Sequence, residues 1–229
     1  MGAELAAPML SEAARADNFT NEGGVAGTIR FLKNIMGLWL VQQCRKSFEK
    51  HGGAADYTDL TQQASDAPAF GPIIDPDDDR FLNPPDMPAA IQDFCRQTGR
   101  RAPESPGSLI RTCLESLALR YRWTLEAMER ILGKRFGAIH VVGGGSKNLL
   151  LCQMTADCCR RPVIAGPAEA TALGNCLVQA IGLGELKTLA DVRAVVRAST
   201  ETNFFAPIPD DRWDEQYSKF QRLLGRKSI

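Results

Sequence analysis

Three consecutive glycines follow a short β-branched run in the segment 138–150, which reads AIHVVGGGSKNLL. Glycine has no Cβ, so a strand that ends in glycines before an apolar, helix-permissive segment lets backbone approach a phosphate or a nucleoside closely. The same pattern also makes an ordinary tight turn. The types and spacing of Gly143, Gly144 and Gly145 therefore indicate either nucleotide binding or a structural turn.

The glycine run matches neither of two familiar phosphate-binding patterns. It is not a P-loop, because no glycine stands four residues before a Gly-Lys-Ser/Thr. It is not a dinucleotide fingerprint, because Asn148 occupies the place of the third glycine and no acidic residue ends the following strand. Three glycines nevertheless exceed what a turn needs, and they would let a flat ring lie against the backbone. Their place after a strand favours ligand binding, since ligands of open α/β sheets gather there.

The other chemically capable residues indicate no metal or hydrolytic site. Seven cysteines without a C-x-x-C pair predict reduced core thiols, and His51 and His140 provide no zinc spacing and no catalytic triad. The Asp77–Asp79 run lacks the glycine and the distal glutamate of an EF-hand, so we expect a solvated turn. Glu169 falls at the start of a predicted helix, where the helix dipole and free N–H groups suffice to explain a carboxylate.

The composition excludes some classes of protein. The chain has 229 residues, 44% of them hydrophobic, and its 27 Lys and Arg residues equal its 27 Asp and Glu residues. There is no global basic field, which disfavours nucleic acid as the main partner. We find no uninterrupted apolar run of about 18 residues and no cationic stretch leading into an apolar core at the beginning. These features predict a soluble cytoplasmic protein.

Apolar periodicity predicts the elements that position the glycines. Residues 27–50 carry apolar side chains at helical spacing, so we expect one long half-buried helix that His51-Gly52-Gly53 ends. The Pro- and Asp-rich segment 67–88 is predicted to be a structured loop. Ser105-Pro106 opens the clearest helix of the chain, with Ser as N-cap, Pro in the first turn and Gly133 just past the end.

A compact unit of alternating strands and helices surrounds the glycines. It consists of strand 138–142, a helix from about 147 to 159, strand 162–165 and a helix from about 168 to 181. Such alternation predicts an α/β layer with parallel strands. Two further helices, near residues 189–198 and from about 211 to 224, complete the prediction.

Several motifs, in order along the chain, resemble the FGGY carbohydrate kinases. The glycine run with Asn148, followed by Gly166–Asn175 (GPAEATALGN), is similar to the adenosine-binding half of that family. Segments 18–24, 32–42 and 78–84 most resemble its rhamnulokinases. The likeness extends from about residue 17 to about residue 208.

The resemblance implies a fold and a division of the chain. It implies an α/β fold, the C-terminal domain of the actin-like (ribonuclease H-like) sugar kinases, truncated at its first strands. Residues 1–17 would be a remnant leader, 18–208 the ATP-binding domain and 209–229 a C-terminal helix.

The resemblance also implies roles for five residues. Gly144, with its neighbours Gly143 and Gly145, would lie against the adenosine of ATP. Gln42 would face the nucleotide, and Asn34 would reach the sugar. On the predicted helix these two amides are eight residues apart and near one face. No catalytic residue is assigned.

The chemistry of the family needs parts that we do not find in this sequence. Phosphoryl transfer to a sugar hydroxyl requires a carboxylate base, a phosphate loop and Mg²⁺. In FGGY kinases the base and a Gly-Thr phosphate loop lie at the beginning of the C-terminal domain, and Met1-Gly2 aligns just after that loop. We expect the first strands of the domain to be missing, which leaves a sheet edge for a partner such as a separate N-terminal half to cover.

Three hypotheses follow from the sequence. The first is the ATP-binding part of a rhamnulokinase-like enzyme whose complete form phosphorylates the ketose L-rhamnulose, the chain alone being inactive. The second is an inactive remnant that acts as a nucleotide-binding or interaction module. The third is an FGGY kinase for another ketose.

Overall fold

The computed structural model describes residues 1–52 and 56–225 as an α/β protein. The strands are β1 (Gly2–Leu5), β2 (Thr20–Gly23), β3 (Ile29–Leu32), β4 (Ile139–Val141), β5 (Val163–Ala165) and β6 (Asn203–Phe205). The helices are α1 (Glu12–Ala16), α2 (Trp39–Lys50), α3 (Tyr57–Asp66), α4 (Met87–Gln97), α5 (Pro106–Leu132), α6 (Leu149–Cys159), α7 (Ala170–Gly182), α8 (Leu189–Ser199) and α9 (Arg212–Gly225).

The strands form two three-stranded sheets. The first is antiparallel, with the order β1-β3-β2, and the second has the order β4-β5-β6. In the second sheet β4 and β5 are parallel, with Ile139 opposite Val163, whereas β6 runs antiparallel to β5. The parallel β4–α6–β5 unit is the one that the sequence predicted, and it places the carboxyl ends of β4 and β5 at one edge.

Helix α5 is long and contributes to both hydrophobic clusters, and it begins and ends at the predicted residues. The Ser105 hydroxyl accepts from the Ser108 N–H at 3.2 Å, and Gly133 closes the helix in the left-handed conformation at φ 60°. Its buried side chains belong to two hydrophobic clusters. Leu117 packs with residues of α2, α3, α4 and α9, whereas Leu125 packs with residues of β3, β4 and β5.

The prediction of one helix over residues 27–50 is wrong. The chain forms β3, a connection over residues 33–38, and then α2, which begins at Trp39. Gly27 and Gly37 adopt φ values of 74° and 62°, which interrupt a helix. Pairing of β3 with both β1 and β2 outweighs the helical periodicity. The end at Lys50 agrees with the prediction, and Gly53 lies outside the described residues.

The segment expected to be a remnant leader has regular structure of its own. Strand β1 pairs with β3, and the Ser11 hydroxyl caps α1 by accepting from the Ala14 N–H at 3.2 Å. Ala14 is buried in the same cluster as Phe31 of β3. This part of the chain therefore contributes to the core.

Residues 67–86 form the loop that the sequence predicted, but the expectation of a solvated turn at its aspartates is wrong. Asp78 is buried and accepts from the Arg80 Nε at 2.8 Å. Asp77 is half-buried and accepts from the Arg120 Nε at 2.6 Å, and Asp79 alone of the three is exposed. Arg120 lies on α5, far from the loop in sequence, so the residue types of the loop alone do not reveal this partner.

The prediction of core thiols is confirmed for six of the seven cysteines and is wrong for Cys176. All seven thiols are free, six of them are buried, and only Cys176 is exposed. Burial raises the pKa of Cys95 and of Cys152 to about 11. These side chains act as small apolar core residues.

Candidate functional site

The three glycines make the turn between β4 and α6, at the edge of the second sheet where β4 and β5 end. Gly143 adopts φ 78°, a conformation that favours glycine. Its N–H donates to the Pro167 carbonyl oxygen at 3.0 Å, and the Gly166 N–H donates to the Val141 carbonyl oxygen at 2.8 Å. The loop after β5 therefore fixes the position of the glycine turn.

Gly144 has no packing reason to be glycine. The residue is exposed, and a Cβ added to it would meet no other atom within 4 Å. An added Cβ on Gly145 would make only an ordinary contact, 3.9 Å from Val141 Cγ1. Only Gly143 is explained by its own backbone conformation. The bare surface at Gly144 leaves room for a flat group to lie directly against the main chain.

The polar residues after the glycines are used by the turn itself. The Ser146 hydroxyl donates to the Gly143 carbonyl oxygen at 2.8 Å. The Asn148 Oδ1 accepts from the Leu151 N–H at 2.9 Å, which makes Asn148 the N-cap of α6. These bonds stabilise the conformation of the turn.

Sequence reasoning missed two apolar neighbours of the turn. Val142 immediately precedes Gly143, and Leu149 is the first residue of α6, and the two side chains are 55% and 51% exposed. Large apolar side chains on both sides of an open glycine surface suit an aromatic ring. The signal available in the sequence was a large apolar residue directly before Gly143 and directly after Asn148. Neither side chain is needed for the core.

The second junction, after β5, is shaped by Gly166. This residue adopts φ 124°, and a Cβ on it would lie 2.8 Å from the Glu201 carbonyl oxygen. Glu169 occupies the N-cap position of α7, but its side chain makes no capping hydrogen bond. It lies instead 4.0 Å from Lys147 Nζ across the two loops, in an exposed ion pair. Such an exposed pair contributes little stability.

Gln42 and Asn34 lie in a different part of the chain from the glycine turn. Gln42 is exposed on the first turns of α2, where its N–H donates to the Leu38 carbonyl oxygen at 2.9 Å. Asn34 is exposed in the connection before α2 and is not on a helix. The expectation that the two amides share one helical face is therefore wrong. The structure brings the three glycines together in one turn, whereas Asn34 and Gln42 lie before and on α2.

Residues 1–52 and 56–225 contain neither a cluster of metal-binding side chains nor a membrane-spanning helix. Within these ranges no three His, Cys, Asp or Glu side chains come together as a candidate metal centre. In the same part of the chain, no helix combines the length and apolarity needed to cross a membrane.

Comparison with known proteins places this geometry in a family. Residues 1–183 match the model of the C-terminal domain of the FGGY family of carbohydrate kinases. A rhamnulokinase of Bacteroides thetaiotaomicron is 44% identical over 224 residues, which cover 98% of this chain and 45% of that relative. A rhamnulokinase of Enterococcus faecalis is 41% identical over 231 residues, covering 100% of this chain and 46% of the relative. The chain thus spans less than half the length of these curated relatives.

Solved structures agree on the fold. A xylulose kinase from Rhodospirillum rubrum superposes with a TM-score of 0.63 at 23% identity, over 91% of this chain and 42% of that one. A gluconate kinase from Lactobacillus acidophilus gives 0.66 at 13% identity, over 99% of this chain and 44% of that one. The predicted sugar-kinase fold is confirmed. The chain belongs to the FGGY family of carbohydrate kinases, and residues 1–183 correspond to the C-terminal domain of that family.

Proposed function

We propose that this chain is the nucleotide-binding part of a rhamnulokinase-like sugar kinase. The observation that carries the proposal is the open surface at Gly144, which no packing contact of the protein explains. In this proposal the adenosine of ATP lies against the main chain of Gly143–Gly145. Val142 and Leu149 border the adenine ring, and Gln42 supplies an amide to the nucleotide.

The binding test compares two substitutions of the same kind. Gly144→Val puts a side chain where the ring would lie. Gly137→Val is the matched control, because Gly137 is exposed and a Cβ there also meets nothing within 4 Å. Titration calorimetry with ADP should show binding by the wild type and by Gly137→Val. It should show at least about tenfold weaker binding by Gly144→Val, which is about 1.4 kcal/mol.

Equal affinity in all three proteins would remove the glycine turn from the nucleotide site. Absence of binding by the wild type would contradict nucleotide binding by the chain on its own.

The complete enzyme is proposed to transfer the γ-phosphate of ATP to L-rhamnulose. The support is the 44% identity to a protein named rhamnulokinase over 98% of this chain. Asn34 would contribute an amide to the sugar. Mg²⁺ would accompany the nucleotide phosphates, where a metal ion neutralises the charge that develops during transfer. A kinase for another ketose is the alternative, and the products formed from L-rhamnulose and from D-xylulose by a reconstituted enzyme would separate the two.

The proposed partner is the N-terminal half of such a kinase. The terminal amino group and the carbonyl oxygen of Met1 both form hydrogen bonds with the backbone of Lys33. Because the backbone groups of successive strand residues point to opposite edges, those of Gly2 and Glu4 lie on the outer edge of β1. On β4, the Ile139 N–H and the Val141 carbonyl oxygen form hydrogen bonds with the β5 side of the sheet. The N–H and the carbonyl oxygen of His140, between them, therefore point away from β5. Among the described residues, neither edge has a second strand, and an added strand would satisfy these groups.

Complementation tests this partner. The chain is mixed with the N-terminal half of the Bacteroides thetaiotaomicron rhamnulokinase, and formation of ADP is measured with and without L-rhamnulose. We expect turnover only in the mixture. Glu4→Pro should prevent complementation, because the Glu4 N–H faces the outer edge, whereas Glu4→Ala should leave it unchanged. Sugar-dependent turnover by the chain alone would contradict its inactivity. ADP binding without any complementation would favour the alternative of an inactive nucleotide-binding module.

A further inference from the structure

The connection between β3 and α2, residues 33–38, is held from outside by the loop 67–86. The Met36 N–H donates to the Asp77 Oδ1 at 2.8 Å. The Trp39 indole N–H donates to the carbonyl oxygens of Phe81 and Leu82 at 3.3 and 3.2 Å. Asn34 and Gln42 lie on either side of these two attachments. Two of the three segments that most resemble rhamnulokinases in sequence, 32–42 and 78–84, thus contact each other directly.

The loop is itself fastened to α5. The Glu115 carboxylate accepts from the Phe70 N–H at 2.9 Å, and the Ser116 hydroxyl accepts from the Ile74 N–H at 3.0 Å. The third attachment is the pair of Arg120 Nε and Asp77 Oδ2 at 2.6 Å, with side chains only 10% and 19% exposed. A charge-assisted bond of this length in a mostly buried place fixes the carboxylate strongly.

Asp77 therefore links α5 to the connection 33–38, which bears Asn34 and leads into the first turns of α2, where Gln42 lies. One carboxylate oxygen accepts from Arg120 of α5, and the other accepts from the Met36 main chain. The Arg120 guanidinium lies 4.9 Å from the centre of the Trp123 ring, which restrains it further. The segment 33–38 has no sheet or helix bonds of its own along most of its length, so its conformation depends on such external partners.

We propose that Asp77 is a positioning residue for the ligand site, which sets the places of Asn34 and Gln42 through the Met36 N–H. The inference rests on the proposed nucleotide and sugar roles of these two amides. Asp77 itself touches no ligand. Loss of its carboxylate releases the segment 33–38, so Gln42 can no longer hold the nucleotide at full affinity.

The test is a double-mutant cycle on ADP affinity. Asp77→Ala should weaken binding by the same factor as Gln42→Ala, and the double variant should bind no more weakly than either single variant. Asp79→Ala is the matched control, because Asp79 is an exposed aspartate of the same loop. It should leave the affinity unchanged. If the fold-loss of ADP affinity in the double variant equals the product of the fold-losses in the two single variants, the two residues act independently. That outcome would overturn the positioning role.

Hydrogen exchange gives a second readout that does not need the nucleotide. In Asp77→Ala the amides of residues 34–38 should exchange at least about tenfold faster, with α5 unchanged. Faster exchange throughout the chain, or no change at Met36, would overturn the inference. If the wild type fails to bind ADP, the proposed nucleotide role fails, and exchange at Met36 then decides whether Asp77 holds this segment.

Discussion

The Gly143 N–H donates to the Pro167 carbonyl oxygen at 3.0 Å, and this bond joins the loops that follow β4 and β5. The two strands are parallel and end at one edge of the sheet, so their loops lie side by side. The surface of the glycine turn therefore depends on the conformation of the neighbouring loop as well as on its own residues.

Gly166→Ala should destabilise the protein. Gly166 adopts φ 124°, and a Cβ on it would lie 2.8 Å from the Glu201 carbonyl oxygen. We expect a loss of about 1–3 kcal/mol in the free energy of unfolding, measured by urea denaturation. Gly174→Ala is the control within α7, where a Cβ meets nothing and alanine favours the helix by up to about 1 kcal/mol. Equal effects of the two substitutions would contradict the close approach at Gly166.

A thiol reagent should distinguish Cys176 from the other cysteines. In the native chain at about pH 8 we expect fast reaction of Cys176 alone, because the other six thiols are buried. Burial also raises the pKa of Cys159 to about 12, which removes its reactive thiolate. Titration with Ellman's reagent, before and after addition of guanidinium chloride, measures both populations. Fast reaction of two or more thiols in the native state would contradict this packing, and Cys176→Ser should abolish the fast phase.

Glu115 should make stability depend on pH. Burial raises its pKa above the usual 4.5, and this outweighs the opposite effect of the Phe70 N–H and of Arg111. The folded state therefore holds the proton more tightly than the unfolded state does. The contribution of the tighter proton binding at Glu115 to the free energy of unfolding is complete below pH 4.5 and is lost as the pH rises through the raised pKa.

Glu115→Gln tests this sign, because glutamine does not ionise. Relative to the wild type, the variant should become progressively more stable between about pH 4 and about pH 7 in urea denaturation. A difference that stays constant over this range would show that Glu115 does not titrate differently in the folded state.

Arg122 should be important for docking of the C-terminal helix α9. Its guanidinium donates to Asp214 at 2.6 Å and to Glu126 at 2.9 Å, and it lies 4.2 Å from the centre of the Tyr217 ring. Arg122→Ala removes these two bonds and the ring contact, while Asp214 keeps its bond from Arg160 and Glu126 keeps its bond from the Tyr217 hydroxyl, and we expect a loss of about 1–3 kcal/mol. Arg15→Ala, which removes an exposed pair with Glu12, is the control and should change stability by less than about 1 kcal/mol. Comparable losses in the two variants, measured by thermal denaturation, would contradict this role.

The sequence predicted well wherever the physical cause was local. Ser105 and Gly133 bound the longest helix because capping and left-handed backbone are properties of a few adjacent residues. The β4–α6–β5 unit was predicted because its strands are short β-branched runs separated by a helix of ordinary length. The glycine turn could be recognised as a candidate site for the same reason.

Local reasoning failed where a distant part of the chain decides the conformation. Residues 29–32 have helical periodicity but become a strand because β1 and β2 pair with them on both sides. Asp77 looks like a solvated turn residue but pairs with Arg120, which is 43 positions later in the sequence. Asn34 consequently lies not on a helix, as predicted, but in the connection 33–38, which bonds to Asp77 through the Met36 N–H.

The sequence by itself determined the family, helices α5 to α9 and the glycine turn, because these depend on residue types and short spacings. Only the tertiary structure decided that Gly144 is exposed whereas Gly143 and Gly145 are half-buried, since exposure depends on the surrounding elements. It also decided that Asn34 lies in a connection and Gln42 on the helix after it, because this connection bonds to the loop 67–86 instead of continuing the helix that periodicity predicted.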